Sequence, residues 1–326
     1  MKILVTGGLG FIGSNFILQI LDKLPEHNII NLDAEIHGSN LQSLSTIEKY
    51  DNYQYVKGNI TDSTIVNKFV QECDVVINFA AESHVDRSIS NAKPFIDSNI
   101  VGTFTILESI RKFEKKLLHI STDEVFGSLD IGSANEISRL NPSSPYASSK
   151  ASAELLVNSY FITYGCNVLI SRCTNNFGPR QFTEKLIPKT IIRASMDKKI
   201  PIYGNGKNIR DWIFVEDHCN ALIKILKEGE IGESYNISTS NEIDNITIVE
   251  KILSYMGKSK ELIQFVEDRP GHDFRYSLDS SKLRSIDWIE KTSFEEGIMK
   301  TVDWYLTNKE WWSNLDPRIL ADTPWK

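Results

Sequence analysis

The stretch Gly7-Gly8-Leu9-Gly10-Phe11-Ile12-Gly13, "GGLGFIG", lies between a short apolar run, Lys2 to Thr6, and a segment of helical spacing, Ser14 to Lys23. Its glycines fit two registers, Gly-x-Gly-x-x-Gly from Gly8 and Gly-x-x-Gly-x-x-Gly from Gly7. Such glycines permit a tight turn, let a pyrophosphate approach the backbone and let the helix pack close to the strand. The helix N-terminus adds free N–H groups and a positive dipole. The stretch therefore predicts a phosphate cradle after a first β-strand.

An acidic residue follows at the position that decides which dinucleotide fits. Asp33 ends the second apolar run, Asn28 to Leu32, about 20 residues beyond Gly13. A carboxylate there can hydrogen-bond the ribose hydroxyls of adenosine and repels a 2′-phosphate, so NAD is preferred over NADP. The alternative is a glycine turn beside a solvated aspartate. The order strand, glycines, helix, strand and acid favours the NAD interpretation.

The remaining pattern predicts an α/β fold. Apolar runs alternate with helical segments as far as Arg172, and the runs at 74–80 and 117–121 are continuously apolar, which indicates a parallel sheet covered on both faces. From about residue 175 the chain becomes rich in Asn, Gly and Pro. We therefore predict a doubly wound parallel-sheet Rossmann domain at 1–177, with returns near 209–230 and 278–309, and a smaller, interleaved α/β domain, mainly for the substrate, at 178–326.

Composition excludes several classes of function. The 326 residues are 41% hydrophobic, with a formal net charge of −7 and a pI of about 5.5, which disfavours nucleic acid or an anionic membrane as partner. No apolar run is long enough to cross a bilayer. The four cysteines show neither Cys-x-x-Cys pairing nor metal-ligand spacing. We expect reduced structural thiols, no metal and a cytoplasmic location.

Two adjacent carboxylates follow a buried strand in the stretch "STDEVFG", residues 121–127. Burying the ionised side chains of Asp123 and Glu124 costs free energy unless they are paired or used. By themselves they indicate a solvated surface turn. Because neighbours on a strand point to opposite faces, both can serve one site only if the backbone leaves β geometry at residue 123 or 124. We predict that it does, with the turn completed by Gly127.

A tyrosine and a lysine share one helix face in "YASSK", residues 146–150. Tyr146 and Lys150 are four residues apart, just after Pro145 opens a helix, so their side chains are neighbours. An ammonium beside a phenol favours the phenolate and lowers the tyrosine pKa, which provides a base near neutral pH. As a bare pair the motif is common and weak. Behind a nucleotide cradle and a Ser-Thr strand end, we interpret it as catalytic.

These motifs carry a resemblance. "GGLGFIG", "STDEV" and "YASSK" resemble the extended short-chain dehydrogenase/reductase family, and within it the dTDP-glucose 4,6-dehydratases. The stretches "NFAAESHVDRSI", "NNFGPRQFTEKLIP", "GNGKNIRDWIFVEDH" and "DRPGHDFRY" extend the resemblance to Tyr276. It implies conversion of dTDP-glucose to dTDP-4-keto-6-deoxyglucose and water, for deoxysugar biosynthesis, with NAD recycled in each turnover.

The resemblance also implies a role for each catalytic residue. Tyr146, with Lys150, takes the 4-hydroxyl proton while a hydride leaves C4 for NAD, and Thr122 orients the 4-oxygen. Glu124 removes the C5 proton and Asp123 protonates the departing C6 hydroxyl, after which the hydride returns to C6. Elimination needs a base and an acid on neighbouring atoms, and two carboxyls can serve if their environments separate their pKa values. A simple epimerase would not need the acid pair.

Binding residues follow from the same resemblance. The cofactor set is Gly7, Gly10, Phe11, Ile12, Gly13, Asp33, Asn59, Ile60, Ala80, Ala81, Asn99, Tyr146 and Lys150. The substrate set is Ser83, Thr122, Asn176, Glu184, Lys185, Leu186, Arg210, Asn236 and His272. Arg275 either neutralises the diphosphate or forms a surface salt bridge. Glu82, His84 and Arg87 either contact ligand or act as scaffold.

Two residues depart from the family pattern. Phe126 stands where the family commonly has Tyr, and Asn59 stands where it has an acid. Asn59 can still accept a hydrogen bond from the adenine amino group through its amide oxygen. These departures bear on cofactor affinity and leave the catalytic set intact.

The sequence also leaves other functions open and bears on the oligomeric state. The alternative enzymes are a UDP-sugar 4,6-dehydratase and a sugar-nucleotide epimerase. A different class is a catalytically silent NAD-binding regulatory protein, which the presence of the whole catalytic set disfavours. The family resemblance also implies a homodimer through helices 95–113 and 146–164, packed as a four-helix bundle. Alternatively, those helix faces serve only the monomer core.

Overall fold

The computed structural model describes residues 1–314 and 320–322. The last part of the predicted second domain, 315–319 and 323–326, lies outside the described residues. The β-strands are β1 (Lys2–Thr6), β2 (Asn28–Asp33), β3 (Tyr53–Lys57), β4 (Val75–Asn78), β5 (Lys116–Thr122), β6 (Val168–Cys173), β7 (Asn175–Phe177), β8 (Ile200–Tyr203), β9 (Ile209–Phe214), β10 (Ser234–Ile237), β11 (Glu242–Asp244) and β12 (Ile263–Val266).

The helices connect these strands in the order that the sequence pattern predicts for the first half of the chain. The α-helices are α1 (Phe11–Lys23), α2 (Ser63–Glu72), α3 (Val85–Ser90), α4 (Lys93–Phe95), α5 (Thr103–Phe113), α6 (Pro145–Tyr164), α7 (Leu186–Ser195), α8 (Val215–Glu228), α9 (Asn245–Tyr255), α10 (Ser281–Arg284), α11 (Phe294–Thr307) and α12 (Lys309–Ser313). Short 3₁₀ helices cover Leu41–Ile47, Asp123–Phe126 and Lys260–Leu262, and Ile96–Gly102 is π-helical.

A seven-stranded parallel sheet forms the centre of the molecule, in the order β10-β6-β5-β4-β1-β2-β3. Strand order reverses at β1, which pairs with β2 on one side and β4 on the other. In open α/β sheets this switch point is where ligands bind, beyond the carboxyl ends of the strands. The predicted doubly wound Rossmann fold is confirmed. The outermost strand β10 comes from the second half of the chain and pairs with β6.

Apolar residues cover both faces of this sheet, as the continuous apolar runs predict. On one face, Ile3 and Val5 pack in a core with Phe16 of α1 and Leu222 of α8. On the other face, Leu4 joins residues of α2, α5 and α6 in a second core. The two buried layers fix the sheet rigidly, so side chains at its carboxyl edge are held in defined positions.

The smaller part of the molecule is built from two small sheets and the helices around them. One sheet has the order β11-β9-β7 and the other pairs β12 with β8. Phe177, Ile191 and Trp212 belong to a third apolar core that also includes residues of α9 and α11. This part lies against the carboxyl edge of the large sheet through β7, which follows β6 after a single residue. The domain division at residue 177 stays a prediction.

The helix expected at 95–113 is not uniformly α-helical. It contains the π-helical segment Ile96–Gly102 between α4 and α5. Segments of this kind insert an extra residue in a turn and often mark functional sites. Here the segment carries Asn99, whose side chain is buried against the residues that follow β4.

None of the helices in the described part of the chain is long and apolar enough to cross a membrane. The four cysteines, Cys73, Cys166, Cys173 and Cys219, carry free, buried thiols. Within residues 1–314 and 320–322, no group of three or more His, Cys, Asp or Glu side chains is arranged to hold a metal ion.

Candidate active site

The glycine-rich turn forms the floor of a deep cavity at the switch point. Gly7 has φ +71, and a Cβ there would lie 2.6 Å from the backbone nitrogen of Ala80. A Cβ on Gly13 would lie 2.5 Å from the carbonyl oxygen of Gly7. No side chain caps the N-terminus of α1, so the N–H groups of its first turn remain available to a ligand. The cradle therefore fits a dinucleotide pyrophosphate, as the spacing predicts.

Asp33 lies beside this cradle and also lines the cavity. Its Oδ2 accepts the Leu9 N–H at 2.9 Å, and its Oδ1 accepts the Ser39 hydroxyl at 2.8 Å. These bonds fix the carboxylate at the carboxyl end of β2 between the glycine turn and the following loop. The placement suits the ribose of a nucleotide whose pyrophosphate lies on the glycines.

The acid pair leaves β geometry where the sequence analysis predicts. Strand β5 ends at Thr122, and Asp123 opens the 3₁₀ helix that ends at Phe126. Thr122 caps this helix, with its hydroxyl accepting from the Glu124 N–H at 3.4 Å and donating to Asp123 Oδ1 at 3.0 Å. Gly127 follows with φ +71. The turn brings both Asp123 and Glu124 into the lining of the cavity, so the predicted break is confirmed.

The two carboxyls lie in different electrostatic environments. Burial, reinforced by the charge of Glu124, raises the pKa of Asp123 to about 8. Asp123 Oδ2 is buried without a hydrogen-bond partner among the described residues. Burial also raises the pKa of Glu124, but the charges of Arg269, Lys185 and Arg210 oppose this rise. The raised pKa keeps a proton on Asp123 at neutral pH, and the nearby cations limit the rise in the pKa of Glu124, which separates the environments of the two carboxyls.

Tyr146 and Lys150 complete the catalytic wall of the cavity. Ser144 caps α6 by accepting from the Ala147 N–H at 3.1 Å, and Pro145 occupies the first turn, so both side chains are fixed on one helix face. Tyr146 packs edge-on against Phe95 with ring centroids 6.2 Å apart. Both residues are buried.

The expected lowering of the tyrosine pKa by its lysine is wrong for this structure. Burial and the charge of Glu124 raise the pKa of Tyr146 well above its usual range, and a hydrogen bond with Thr122 offsets part of that rise. Lys150 instead donates its ammonium to the carbonyl oxygen of Ile120 at 2.5 Å. Burial lowers the pKa of Lys150 to about 8. The ammonium therefore does not activate the phenol in the chain as it stands.

A second cavity adjoins the first and is lined by several cations. The residues that line both cavities include Glu124, Glu184 and Lys185. Arg210 and Arg269 lie in the second cavity, with the Arg210 guanidinium 4.4 Å from the ring of Tyr276. A cation-lined cavity beside the acid pair suits an anionic ligand that carries a neutral group toward Asp123.

Comparison with known proteins agrees with this geometry. The sequence profile of the family described as GDP-mannose 4,6 dehydratase matches residues 4–301. The low-salt glycan biosynthesis protein Agl12 of Haloferax volcanii is 46% identical over 95% of this chain and 100% of its own. A dTDP-glucose 4,6-dehydratase of Xanthomonas campestris is 44% identical over 94% of each chain. The structure of the Streptomyces venezuelae dTDP-glucose 4,6-dehydratase with NAD and dTDP bound superimposes with a TM-score of 0.95, at 40% identity, over 97% of this chain and 100% of that one.

The chain belongs to the dTDP-glucose 4,6-dehydratase family. The family resemblance stated from the sequence motifs is thereby confirmed.

Most of the residues that the sequence analysis assigned to ligands in this family member do line a cavity. The first cavity contains Gly7, Gly10, Phe11, Ile12, Gly13, Asp33, Asn59, Ile60, Ala80, Ala81, Ser83, Thr122, Asp123, Glu124, Tyr146, Lys150, Asn176, Glu184 and Lys185. The second cavity contains Leu186, Arg210 and His272. Their individual roles stay predictions.

Two assigned residues do not line either cavity. Asn99 is buried, where its amide accepts from the Glu82 N–H at 2.9 Å and donates to Ser149 at 2.8 Å. These bonds position the loop after β4. Asn236 lies in β10 with no exposed surface and donates to the carbonyl oxygens of Ala134 and Asp279. In the structure both side chains hold parts of the chain together, and their assignment to ligands stays a prediction.

Asn59 lines the cofactor cavity, but its amide oxygen is already engaged. Asn59 Oδ1 accepts from both the backbone N–H and the hydroxyl of Thr61, each at 3.0 Å. A carbonyl oxygen has two acceptor positions, so a bond from the adenine amino group to this oxygen would displace one of the Thr61 bonds. The expected bond stays a prediction.

Arg275 forms a surface salt bridge, the alternative that the sequence left open for it. Its guanidinium meets Glu242 at two positions, both 2.6 Å, and donates to the carbonyl oxygen of Gly132. The residue that the sequence analysis missed is Arg269, which lines the second cavity and pairs with Asp86 at 2.7 Å. Both arginines belong to the quoted motif "DRPGHDFRY", so the signal was present but did not distinguish them.

The sequence left open whether Glu82, His84 and Arg87 contact ligand or act as scaffold, and the structure separates them. Glu82 and His84 line the first cavity, whereas Arg87 does not. Arg87 pairs with Glu82 at 2.8 Å and holds it in the loop after β4. Tyr203 and Tyr276 also line the second cavity, although no sequence pattern singled them out.

Proposed function

We propose that this protein is a dTDP-glucose 4,6-dehydratase that uses NAD and releases dTDP-4-keto-6-deoxyglucose and water. The observation that carries this proposal is the buried pair Asp123 and Glu124 in one cavity with Tyr146, with the pKa of Asp123 raised to about 8. A dehydration needs an acid and a base on neighbouring atoms of the sugar, and this turn supplies both. NAD and dTDP bound in the Streptomyces venezuelae relative support the cofactor and the nucleotide.

The cofactor site fits NAD in its residues. Gly7, Gly10 and Gly13 would hold the pyrophosphate, and Asp33 would hold the adenosine ribose. When bound, NAD supplies the hydride acceptor for the oxidation at C4 and the hydride donor for the reduction at C6. Ala80 and Ala81, in the loop after β4, have small side chains, which leaves the cavity open between the glycine turn and the acid pair.

The substrate would enter from the second cavity. Arg210 and Arg269 would neutralise the diphosphate, while Glu184, Lys185 and Leu186 would line the nucleoside. Ser83, Asn176 and His272 would contact the remaining polar groups of the substrate. In this arrangement the hexose would lie between Tyr146 and the acid pair, where Glu124 lines both cavities.

Three side chains would then move protons in sequence. Tyr146, whose pKa is raised by burial, would accept the proton of the sugar 4-hydroxyl as its phenolate after losing its own proton, and Thr122 would hold the 4-oxygen. Glu124 removes the C5 proton, which the 4-ketone makes acidic, and nearby cations stabilise its carboxylate before that step. Asp123, protonated at neutral pH, donates its proton to the C6 hydroxyl as water leaves. Reprotonation at C5 then completes the product.

Incubation of the purified protein with NAD and dTDP-glucose tests this proposal. We expect a 4-keto sugar nucleotide, detected by its near-ultraviolet absorbance in alkali, without accumulation of reduced nicotinamide. UDP-glucose and UDP-N-acetylglucosamine in parallel reactions distinguish the UDP-sugar alternative, and formation of a 4-epimer would indicate the epimerase alternative. A Glu124→Gln protein serves as the matched control that binds NAD but does not eliminate water.

We also propose that the protein is a homodimer through 95–113 and 146–164. Both segments expose large apolar side chains, including Ile96, Phe104, Leu155 and Ile162. A four-helix bundle between two copies would bury them. Light scattering should give twice the chain mass, and Ile162→Asp should dissociate the dimer. Ile137→Asp, at an equally exposed isoleucine of another segment, should not change the mass.

The cytoplasmic location remains part of the proposal. The four free, buried thiols are consistent with a reducing compartment. Cell fractionation with an antibody against the chain would test it, and recovery from the medium or the membrane fraction would contradict it.

A further inference from the structure

A histidine and a glutamate from distant parts of the chain meet at the rim of the cofactor cavity. His37 lies in the loop after β2, and its Nε2 is 2.8 Å from Oε2 of Glu184, in the segment that precedes α7. The His37 ring also packs edge-on against Phe182, with centroids 4.9 Å apart. His37, Phe182 and Glu184 all line the cavity. We call residues 181–185 together with His37 the clasp.

The clasp is tied to the sheet edge on both sides of the cavity. On one side, the loop of His37 is fixed by the bond from Ser39 to Asp33 and by the Asn40 N–H, which donates to the Leu9 carbonyl at 3.1 Å. On the other side, Lys185 donates its ammonium to the carbonyl oxygen of Ser83, in the loop after β4, at 3.1 Å. These contacts connect the loop after β2 to the loop after β4 across the glycine turn.

The contact between His37 and Glu184 is charge-assisted. The Glu184 side chain is only 8% exposed. Although burial by itself raises the pKa of Glu184, its polar surroundings, led by the hydrogen bond from His37 and including the charge of Lys185, lower it to about 2. The carboxylate is therefore ionised at neutral pH, and an N–H of His37 donates to it whether the ring is neutral or protonated. Hydrogen bonds to an ionised partner are about twice as strong as neutral ones.

Glu184 also faces the second cavity, which the sugar nucleotide would occupy. One carboxylate thus borders both ligands. A nucleotide in the second cavity would therefore lie beside the carboxylate that binds His37.

We propose that the His37–Glu184 contact retains the cofactor through each turnover and that a bound nucleotide tightens it. The inference rests on the proposed function, because a reaction that oxidises C4 and later reduces C6 with the same cofactor requires such retention. Loss of the cofactor between the two steps leaves the sugar oxidised and unreduced. His37 acts as a positioning residue in this scheme, since it touches Glu184 and Phe182 and no reacting atom.

The test compares NAD dissociation rates of the holoprotein and its variants after rapid removal of free cofactor. His37→Phe keeps the ring packing on Phe182 but removes the donor, so we expect NAD to dissociate about 10 times faster, equivalent to about 1.4 kcal/mol. His37→Gln keeps a donor and should stay within about threefold of wild type. His27→Phe, a near-isosteric change of the histidine beside Glu26 at the other end of β2, serves as the control and should not change the rate.

Two further readings separate retention from a general structural effect. Addition of dTDP should slow NAD dissociation from the wild-type protein and have little effect on His37→Phe. Lys185→Met, which removes the second tie of the clasp, should also release NAD faster. During turnover of dTDP-glucose, His37→Phe should release reduced nicotinamide together with an unreduced keto sugar, whereas wild type should release neither.

The outcomes are distinguishable from failure of the proposed function. If His37→Phe and Lys185→Met both release NAD at the wild-type rate, the clasp does not retain the cofactor and the inference is wrong. If dTDP slows dissociation equally in wild type and His37→Phe, the link through Glu184 is wrong. If wild type and variants all fail to convert dTDP-glucose while NAD dissociation still responds to His37→Phe, the proposed reaction fails and the retention survives.

Discussion

Replacement of Asp123 by asparagine should remove the acid and stabilise the fold at the same time. The pKa of Asp123 is raised to about 8 from an ordinary value of 3.8, mainly by burial and then by Glu124. The unfolded chain loses this proton near pH 4, whereas the folded chain keeps it until about pH 8. Because the unfolded state binds fewer protons in this interval, the folded state loses stability as pH rises from about 4 to 8.

The rise in the pKa of Asp123 limits how much stability the folded state loses as pH increases. One pKa unit equals about 1.4 kcal/mol, so the shift of about four units sets an upper bound of about 6 kcal/mol. Asparagine is almost the same size and can accept the Thr122 hydroxyl bond seen at 3.0 Å. We therefore expect Asp123→Asn to be more stable than wild type at pH 8, by an amount within this bound, and equally stable near pH 4.

Urea unfolding followed by tryptophan fluorescence at several pH values between 4 and 8 measures this difference in the cofactor-free protein. After NAD is restored to the same preparations, turnover of dTDP-glucose by the variant should be about 10²- to 10⁴-fold below that of wild type, the usual contribution of a general acid. A stability difference that does not grow with pH would refute the assignment of a buried, protonated Asp123. Normal turnover by the variant would refute its role as the acid.

Other substitutions test separate parts of the site. Asn59→Asp should tighten NAD binding about 3- to 10-fold, as measured by calorimetry. A carboxylate can keep the Thr61 bonds on one oxygen and accept the adenine amino group on the other. Unchanged or weaker NAD binding would contradict this expectation. Gly13→Ala should destabilise the fold by about 1–3 kcal/mol in thermal unfolding and weaken NAD binding, since its Cβ would meet the Gly7 carbonyl at 2.5 Å; a variant with wild-type stability would show that the turn can relax. Arg269→Ala should raise KM for dTDP-glucose at least 10-fold, because Arg269 lines the second cavity. Arg275→Ala should leave the kinetics unchanged and lower the free energy of unfolding by less than about 1 kcal/mol. The opposite result for the two variants would exchange their roles.

Local sequence signals predicted the elements that frame the site. Helix α6 begins at Pro145 behind the Ser144 cap and ends at Tyr164, where Gly165 adopts φ +68, and each of these residues has a known preference for its position. The break after Thr122 followed from the requirement that both acids reach one cavity, and the structure has it at residue 123.

Features that depend on tertiary contacts could not be predicted in this way. The π-helical turn at 96–102 does not disturb the apolar pattern enough to be visible in the sequence. Which arginine of one motif faces the cavity is decided by partners far along the chain, Asp86 for Arg269 and Glu242 for Arg275. Helical spacing placed Lys150 beside Tyr146, but it could not show that the ammonium donates to the Ile120 carbonyl.

The raised pKa of Tyr146 also depends on tertiary contacts. The sequence indicated a cation near the phenol, whereas the folded chain surrounds that phenol with buried apolar groups and with Glu124. Desolvation disfavours the phenolate more than a redirected ammonium can favour it. Titration of Tyr146 therefore depends on what binds in the cavity, and it cannot be read from the spacing of the motif.

The fate of the C4 hydrogen tests the central claim most directly, because it requires that Tyr146, Glu124 and Asp123 act on one sugar ring beside one cofactor. The measurement is mass spectrometry and NMR of the product formed from dTDP-glucose deuterated at C4. We expect the deuterium at C6 of the 4-keto-6-deoxy product, with hydrogen from the solvent at C5. Deuterium lost to solvent, or retained at C4 of an epimer, would contradict it.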